Sequence, residues 1–506
     1  MPGLPERVRN GLNNLLSARS SDLCTQILQI LKIPVIFASM NLHLFDKQVY
    51  TSRRQVLKQN IANDGLIVLM GNEDSSMNYK DNTYLFRQDS TFLYYFGLDT
   101  HGLAAIIDTD TGEEVVFGNE LTIDDIVWTG TLPTVSEMAA MVGVTETKPY
   151  DQITHHIHKA IAAGRPVHIL PPYRPENKIK LATWLNTSLG DIAKYVSVKL
   201  IRAVIGQRVI KTPLEVAELE NAVDISIDMQ LAVIKHTRPG IKEYELVGKA
   251  NEVAIANNGR LGYGAIITTH GQTLHTHYYG NTLQEGRMVL SDIGAENAMH
   301  YGGDLTRTFP VGKTFTTRQA ELYEVVLNSM NHAINLLKPG TKYKEIHLAA
   351  CQKLVEGLTL AGIMKGDAAE AVEAGAHTMF FQCGLGHMLG MDTHDMEDLG
   401  EQYVGYTDTL KKETSIFGLK SLRLGRELEA GFVLTVEPGI YIIPELIDRW
   451  QAENKYADFI NYDVLNTYRD FGGIRIEDNF LITGTGSQLL GKYLPKSLKE
   501  VEGLKG

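Results

Sequence analysis

The chain has 506 residues, with 48 Lys and Arg against 60 Asp and Glu, so its formal charge is −12 with histidine neutral. That balance excludes the basic footprint of a nucleic-acid binder. At 44% hydrophobic and 21% charged residues the composition also excludes disordered and fibrous classes and permits a packed core. Three cysteines, Cys24, Cys351 and Cys383, are too few and too scattered for a disulfide framework or a thiolate zinc site, which suits a reducing cytoplasm.

Residues 1–44 show neither helical nor strand periodicity and read as a loosely ordered extension. Their main apolar stretch, Ile27 to Met40, is interrupted by Gln29, Lys32 and Pro34. It falls short of the roughly 20 apolar residues of a spanning helix, and although Arg7, Arg9 and Arg19 precede it as in a secretory signal, no clear small-x-small cleavage site follows, so export is the less favoured reading.

From Phe45 the pattern is that of a smaller α/β domain, residues 45–204. A short helix is expected over Arg53 to Asn63, with strands at Gly65 to Met70, Leu103 to Asp108 and Val167 to Leu170. His155-His-Ile-His158 has no acidic or cysteine partner at ligand spacing and reads as a solvated helix face. Asn186-Thr-Ser188 is a glycosylation sequon only in a secreted protein.

A second unit, residues 205–506, opens with a helix. Thr212 caps it, Pro213 fits its first turn and Glu215 completes a capping box. Val216, Leu219, Val223, Ile227, Leu231 and Ile234 then recur at spacings of three or four, giving one apolar face. The helix stops at Arg238-Pro-Gly240. A second amphipathic helix, about Arg318 to Leu337, stops at Lys338-Pro-Gly340, and similar segments follow both stops, at Ile241 and Thr341. This suggests an internal repeat of two α+β halves around a shared sheet. Pro-Gly is also a common helix terminator, so coincidence stays open.

Acidic residues interrupt apolar, strand-like runs at four places: Asp292 in Val289-Leu-Ser-Asp-Ile-Gly294, Asp304 in Gly303-Asp-Leu-Thr-Arg-Thr-Phe-Pro310, Glu437 in Phe432-Val-Leu-Thr-Val-Glu-Pro-Gly439, and Glu477 in Gly473-Ile-Arg-Ile-Glu477. A carboxylate away from water is costly unless it is paired or coordinates a cation. Any one of them alone reads as a strand-end residue or a salt bridge, and Arg475 is placed to neutralise Glu477. Together with His387, in Gly384-Leu-Gly-His387, they would make a ligand set for two divalent ions. Such a pair generates a hydroxide nucleophile at neutral pH. The oxygen-rich donors favour manganese, with cobalt, iron and zinc open. Gly384-x-Gly386 lacks the strand and third glycine of a dinucleotide loop.

The chain resembles the pita-bread metallopeptidases, and within them the prolidase and Xaa-Pro aminopeptidase (aminopeptidase P) group. The resemblance is carried by those motifs, by Leu434-Thr-Val-Glu-Pro-Gly-Ile-Tyr441 and Gly472-Gly-Ile-Arg-Ile-Glu-Asp478, and by Phe86-Arg-Gln-Asp-Ser-Thr-Phe-Leu-Tyr-Tyr-Phe-Gly97 in the first domain. It implies an α+β, creatinase/aminopeptidase-like catalytic domain with an internal pseudo-repeat. The smaller α/β domain before it would close the pocket mouth and mediate dimerisation. By the same resemblance Asp292, Asp304, His387, Glu437 and Glu477 are the dinuclear metal ligands, and Glu437 handles the proton of the attacking water. His275 or its competitor His277 contacts substrate. His394, in Asp392-Thr-His-Asp395, polarises the scissile carbonyl or holds the tetrahedral intermediate. Each of these histidines also reads as an ordinary polar loop residue.

Arg423 is similar to the prolidase residue that grips a dipeptide's carboxylate, although a surface role is open. Arg475 is a candidate for substrate binding and, more strongly, for supporting the carboxylates, a role shared with Tyr263 and Thr306. Cys383 stands where the family often has histidine, and is expected to alter the pocket wall or sensitise the site to oxidation. The implied activity is hydrolysis of the bond between an N-terminal residue and proline in peptides, with aminopeptidase P slightly favoured over prolidase. The implied setting is a cytoplasmic homodimer, or higher homo-oligomer, with no nucleic-acid or membrane partner. A creatinase-like amidine hydrolase and a non-catalytic binding protein are the remaining alternatives, and the complete ligand set argues against both.

Overall fold

A computed structural model describes residues 43–505. Cys24 and the Ile27–Met40 stretch lie outside the described residues, as does most of the expected extension. The chain divides into two units between Tyr195 and Val196.

In the first unit, helix α1 (Lys47–Ile61) starts ahead of the expected Arg53 because Asp46 caps it, its carboxylate accepting from the Gln48 amide at 2.8 Å. Arg53 and Arg54 lie on the buried face of α1, which hides its apolar stripe from a sequence reading. Arg54 is fully buried but satisfied, donating to the carbonyls of Tyr95 at 2.8 Å and Val142 at 2.9 Å and to Glu114 at 2.7 Å. Strands β1 (Leu66–Met70), β2 (Ala104–Asp108), β3 (Glu114–Phe117), β4 (Glu146–Lys148) and β5 (Val167–His168) form one mixed sheet in the order β4-β3-β2-β1-β5. β1 is antiparallel to β2 and parallel to β5. Helix α2 (Ile153–Ala162) buries Ile153, Ile157 and Ala160 and leaves His155 and His158 exposed, the solvated face expected of the histidine run.

The second unit opens with α3 (Val198–Arg208), so the expected boundary at 204/205 falls inside a helix. α4 (Pro213–His236) has the expected start: Thr212 accepts from the Glu215 amide and Glu215 reaches back to the Thr212 amide. Its buried face includes two polar residues that apolar patterning omits. Gln230 donates to the carbonyls of Ser291 at 2.9 Å and Leu305 at 2.7 Å, and Ser226 accepts from the Ala295 amide at 2.8 Å.

α4 packs on α5 (Glu243–Ala256), and α6 (Thr317–Leu336) packs on α7 (Tyr343–Leu360). Both hairpins turn on a glycine in the left-handed region, Gly240 at φ 90° and Gly340 at φ 87°. After the turns, Lys242 bridges to Thr282 and Lys342 to Glu427, so the repeat seen in the sequence recurs in the pairing.

Strands β6 (Ile266–Thr268), β7 (Met288–Ile293) and β8 (Leu305–Pro310) form an antiparallel sheet under α4, with β7 in the middle. β9 (Val433–Val436), β10 (Gly439–Tyr441), β11 (Gly473–Arg475) and β12 (Asp478–Ile482) make two short antiparallel ladders, β9 with β12 and β10 with β11. α6 packs against β9, β10 and β11. Every residue of β7, β8, β9, β10 and β11 is buried.

Candidate metal centre

The ladders bring the acidic residues together. On β7 and β8, Asp292 pairs with Thr306, so Asp304 stands one step beyond the paired end of β8. Val436 pairs with Asp478 and Gly439 with Arg475, so Glu437 and Glu477 stand opposite each other where the two ladders meet. His387 arrives on an extended segment that zips onto β9: the Thr435 amide donates to the His387 carbonyl at 3.0 Å and the Glu437 amide to the Leu385 carbonyl at 2.8 Å. That approach requires glycine at 386, where a Cβ would lie 2.2 Å from the Thr435 carbonyl oxygen.

Donor atoms of Asp304, His387 and Glu477 all lie within 4.8 Å of one another. His387 Nε2 is 3.3 Å from Asp304 Oδ2 and 3.6 Å from Glu437 Oε1. Asp292 joins through Tyr263, whose hydroxyl reaches Asp292 at 2.6 Å and Asp304 at 2.5 Å. All five expected ligands therefore converge.

Burial dominates the electrostatics of the cluster. Burial pushes the Glu477 and Asp292 carboxyls above the usual range, and Glu437 up to about 7, against the opposing pull of His387 and Arg475. At Asp304 burial acts the same way, but the His387 ring outweighs it and the carboxyl falls below its ordinary value. Glu477 accepts from the Thr306 hydroxyl at 2.7 Å through Oε2, while its Oε1 is buried with no hydrogen-bond partner. A buried anionic oxygen without a donor fits a bound cation.

Comparison with known proteins agrees. The sequence profile of Metallopeptidase family M24 matches residues 217–484, which contain every one of these side chains. The chain belongs to metallopeptidase family M24. Its first unit matches the Aminopeptidase P, N-terminal domain, over residues 50–169. It is 30% identical to human Xaa-Pro dipeptidase over 486 residues, 94% of each chain. It is 31% identical to a probable Xaa-Pro aminopeptidase of Botryotinia fuckeliana over 442 residues, 87% of this chain and 92% of that one. Its structure is similar to aminopeptidase P from Escherichia coli with the inhibitor Pro-Leu, with a TM-score of 0.74 and 27% identity over 91% of this chain and 98% of that one. The expected architecture, an aminopeptidase P-type first domain ahead of a mixed helix-and-sheet catalytic domain, is that of this M24 enzyme. Divalent-metal binding follows from the family, and the donor set fits it.

The remaining expected residues of the M24 site sit around the cluster. Arg475 is buried with its donors engaged, pairing with Asp292 and donating to Thr306 at 3.1 Å and Tyr441 at 2.8 Å, so it supports the carboxylates. His394 stacks edge-on to His387 with ring centroids 4.3 Å apart, and its Nδ1 is 2.6 Å from Glu397. Burial and the His387 charge hold His394 below its ordinary value, with Glu397 opposing.

Arg423 pairs with the same Glu397 at 3.3 Å. His275 and His277 occupy an exposed loop. Partial burial and then the Arg475 charge lower the His275 pKa, with Arg423 adding to the effect, while the His277 ring packs against Gly264. Cys383 lies 3.9 Å from the Tyr441 hydroxyl. Burial pushes its thiol up to about 12, which works against the oxidation sensitivity expected from sequence.

Several supporting residues escape a sequence reading. Asn479 clamps the Asp304 backbone, accepting from its amide at 3.1 Å and donating to its carbonyl at 2.5 Å. Asp395, buried between Arg208 at 2.8 Å and Lys211 at 2.7 Å, anchors the loop that carries His394. Glu397, three residues after His394, was the one detectable signal, as an acid at hydrogen-bonding spacing from a candidate histidine.

Proposed function

We propose that this metallopeptidase cleaves the bond between an N-terminal residue and proline. The observation that carries the reading is the convergence of Asp292, Asp304, His387, Glu437 and Glu477, with an orphaned Glu477 oxygen, in a chain similar along nearly its whole length to Xaa-Pro exopeptidases. Two divalent cations held there would supply a hydroxide nucleophile at neutral pH and charge stabilisation for acyl transfer.

The chain's own residues do the rest. Glu437, as a carboxylate within the cluster, would be within hydrogen-bond reach of a water held there and would accept its proton. Glu397 orients His394 toward the scissile carbonyl, and His275 or His277 contacts the substrate from the loop. An Xaa-Pro bond lacks the usual N–H and is conformationally restricted, so a dedicated pocket is chemically sensible.

Arg423 supports a second reading, prolidase. Its guanidinium acts on both His275 and His394, and its Nε is held by Glu397 at 3.3 Å and Glu401 at 3.6 Å, which places a cation beside the candidate histidines. A dipeptide's C-terminal carboxylate is the natural partner for such a group.

Hard oxygen donors support manganese as the native ion. A homodimer is supported by helix Ile123–Thr129, where Ile123, Val127 and Trp128 are 76%, 73% and 86% exposed. Among the described residues no helix is long and apolar enough to cross a membrane, and the low cysteine count supports the cytoplasm as its compartment.

The test offers the metal-loaded protein an Xaa-Pro dipeptide, an Xaa-Pro-Xaa tripeptide and creatine, with Asp292→Ala as control. Peptide turnover lost in the variant supports the proposal, and no peptide turnover, or turnover unchanged in the variant, defeats it.

A further inference from the structure

Three buried side chains stand outside this chemistry. His347 and Cys351 are four residues apart on α7 and so share one helix face. His377 comes from the short turn Ala376–Met379, which follows helix α8 (Ala368–Ala374). One donor atom of each lies within 4.8 Å of the other two. Their relative exposures are 1%, 0% and 5%.

Packing alone leaves this cluster unexplained. Nδ1 of His347 and Nδ1 of His377 are both buried with no hydrogen-bond partner. A buried ring nitrogen without a partner is unfavourable, and a cation taken at His377 Nδ1 relieves one of the two, while His347 meets Cys351 through its other nitrogen, Nε2. The one internal contact is informative: Cys351 Sγ lies 3.6 Å from His347 Nε2. A tetrahedral zinc site with metal–sulfur near 2.3 Å and metal–nitrogen near 2.05 Å has a sulfur–nitrogen edge of about 3.6 Å.

We infer that His347, Cys351 and His377 form a second site, separate from the carboxylate cluster, for a soft divalent cation of the zinc class. Thiolate and imidazole donors select such an ion, while the oxygen-rich centre selects a harder one. Burial lowers His347 to about 3 and His377 to about 4, so at neutral pH both rings are neutral and their lone pairs are free of competing protons. Burial raises the Cys351 thiol well above its ordinary range, so the incoming cation displaces one proton, from sulfur to solvent, as the metal–thiolate bond forms. A water molecule would complete the tetrahedron, which leaves Cys351 as the only sulfur ligand of the proposed site.

The role is structural. The cation ties α7 to the turn that starts the segment running through Cys383 and Gly384 to His387, and thereby fixes where that segment begins. The three-cysteine count excluded an all-thiolate site, but the fold assembles a mixed one from residues whose spacing carries no motif.

Cobalt is the probe. Full-length, chelator-treated protein is titrated with Co²⁺ and followed by absorption. The carboxylate centre holds no sulfur, so a thiolate-to-cobalt charge-transfer band reports this site alone. The expected result is a band in the wild-type chain that persists in Glu477→Gln, disappears in Cys351→Ser, weakens in His377→Asn, and is quenched by one equivalent of Zn²⁺ per chain. No band in wild type after both sites have been offered excess cobalt, or a band that survives Cys351→Ser, overturns the assignment. The wild-type arm decides without relying on any variant's folding, and its outcome is independent of peptidase activity.

Discussion

Thr306 donates its hydroxyl to Glu477 Oε2 at 2.7 Å, leaving Oε1 of the same carboxylate buried and unpartnered. The same hydroxyl accepts from Arg475 Nε at 3.1 Å, so one side chain orients both an expected ligand and the arginine paired with Asp292. Supports of this kind are typically worth about 10–100-fold in metal affinity. Thr306→Val is therefore expected to weaken Mn²⁺ binding by roughly that factor with the fold intact, and Thr306→Ser to restore it, as read by cation titration.

Arg423 tests substrate length. If its guanidinium meets a dipeptide's carboxylate, a charge-assisted contact worth about 1.5–3 kcal/mol is lost in Arg423→Met, raising KM for an Xaa-Pro dipeptide by about 10–100-fold. Turnover of the tripeptide should change little. Equal losses on both substrates would assign Arg423 to holding Glu397 instead.

Glu397 governs His394. The hydrogen bond from His394, followed by the Arg423 charge, holds the Glu397 carboxyl down at about 2, so it is ionised throughout the working range and favours the imidazolium. Glu397→Gln removes that charge, so His394 should titrate at lower pH, measurable by NMR of its ring protons. An unchanged or raised midpoint would contradict the assignment.

Arg307 is fully buried and ties several segments together. It donates to Asp478 at 2.7 Å, to the carbonyl of Glu477 at 2.7 Å and to the carbonyl of Leu494 at 2.9 Å. Arg307→Met leaves Asp478 with Lys496 as its remaining cation and strips those carbonyls of a donor. Removing one partner of a buried pair costs about 3–5 kcal/mol. The expected readout is a clearly lower urea midpoint for the transition of the second unit.

The four acidic candidates were legible because each is a carboxylate placed where strand-like apolar sequence makes charge costly, and His387 through its flanking glycines and the family resemblance. Their supports were not, because they act across distance. Gln230 on α4 stitches β7 to β8, and Asn479 grips Asp304, yet neither breaks a local pattern. Buried polar residues also masked the apolar stripe of α1, whose buried side carries Arg53 and Arg54. The internal repeat was legible because each half must turn its helical hairpin with the same Pro-Gly stop. The grouping of His377 with His347 and Cys351 needed the fold, since a helix face and a distant turn share no sequence period.

The proposed peptidase activity depends on the carboxylate cluster holding two cations. Its most direct test is Mn²⁺ titration of chelator-treated protein while hydrolysis of an Xaa-Pro peptide is followed. Negligible activity is expected without metal, with a rise that saturates at two equivalents per chain, since the soft His–Cys cluster disfavours manganese. Activity that persists in the chelated protein, or that stays absent after two equivalents are bound, would contradict it.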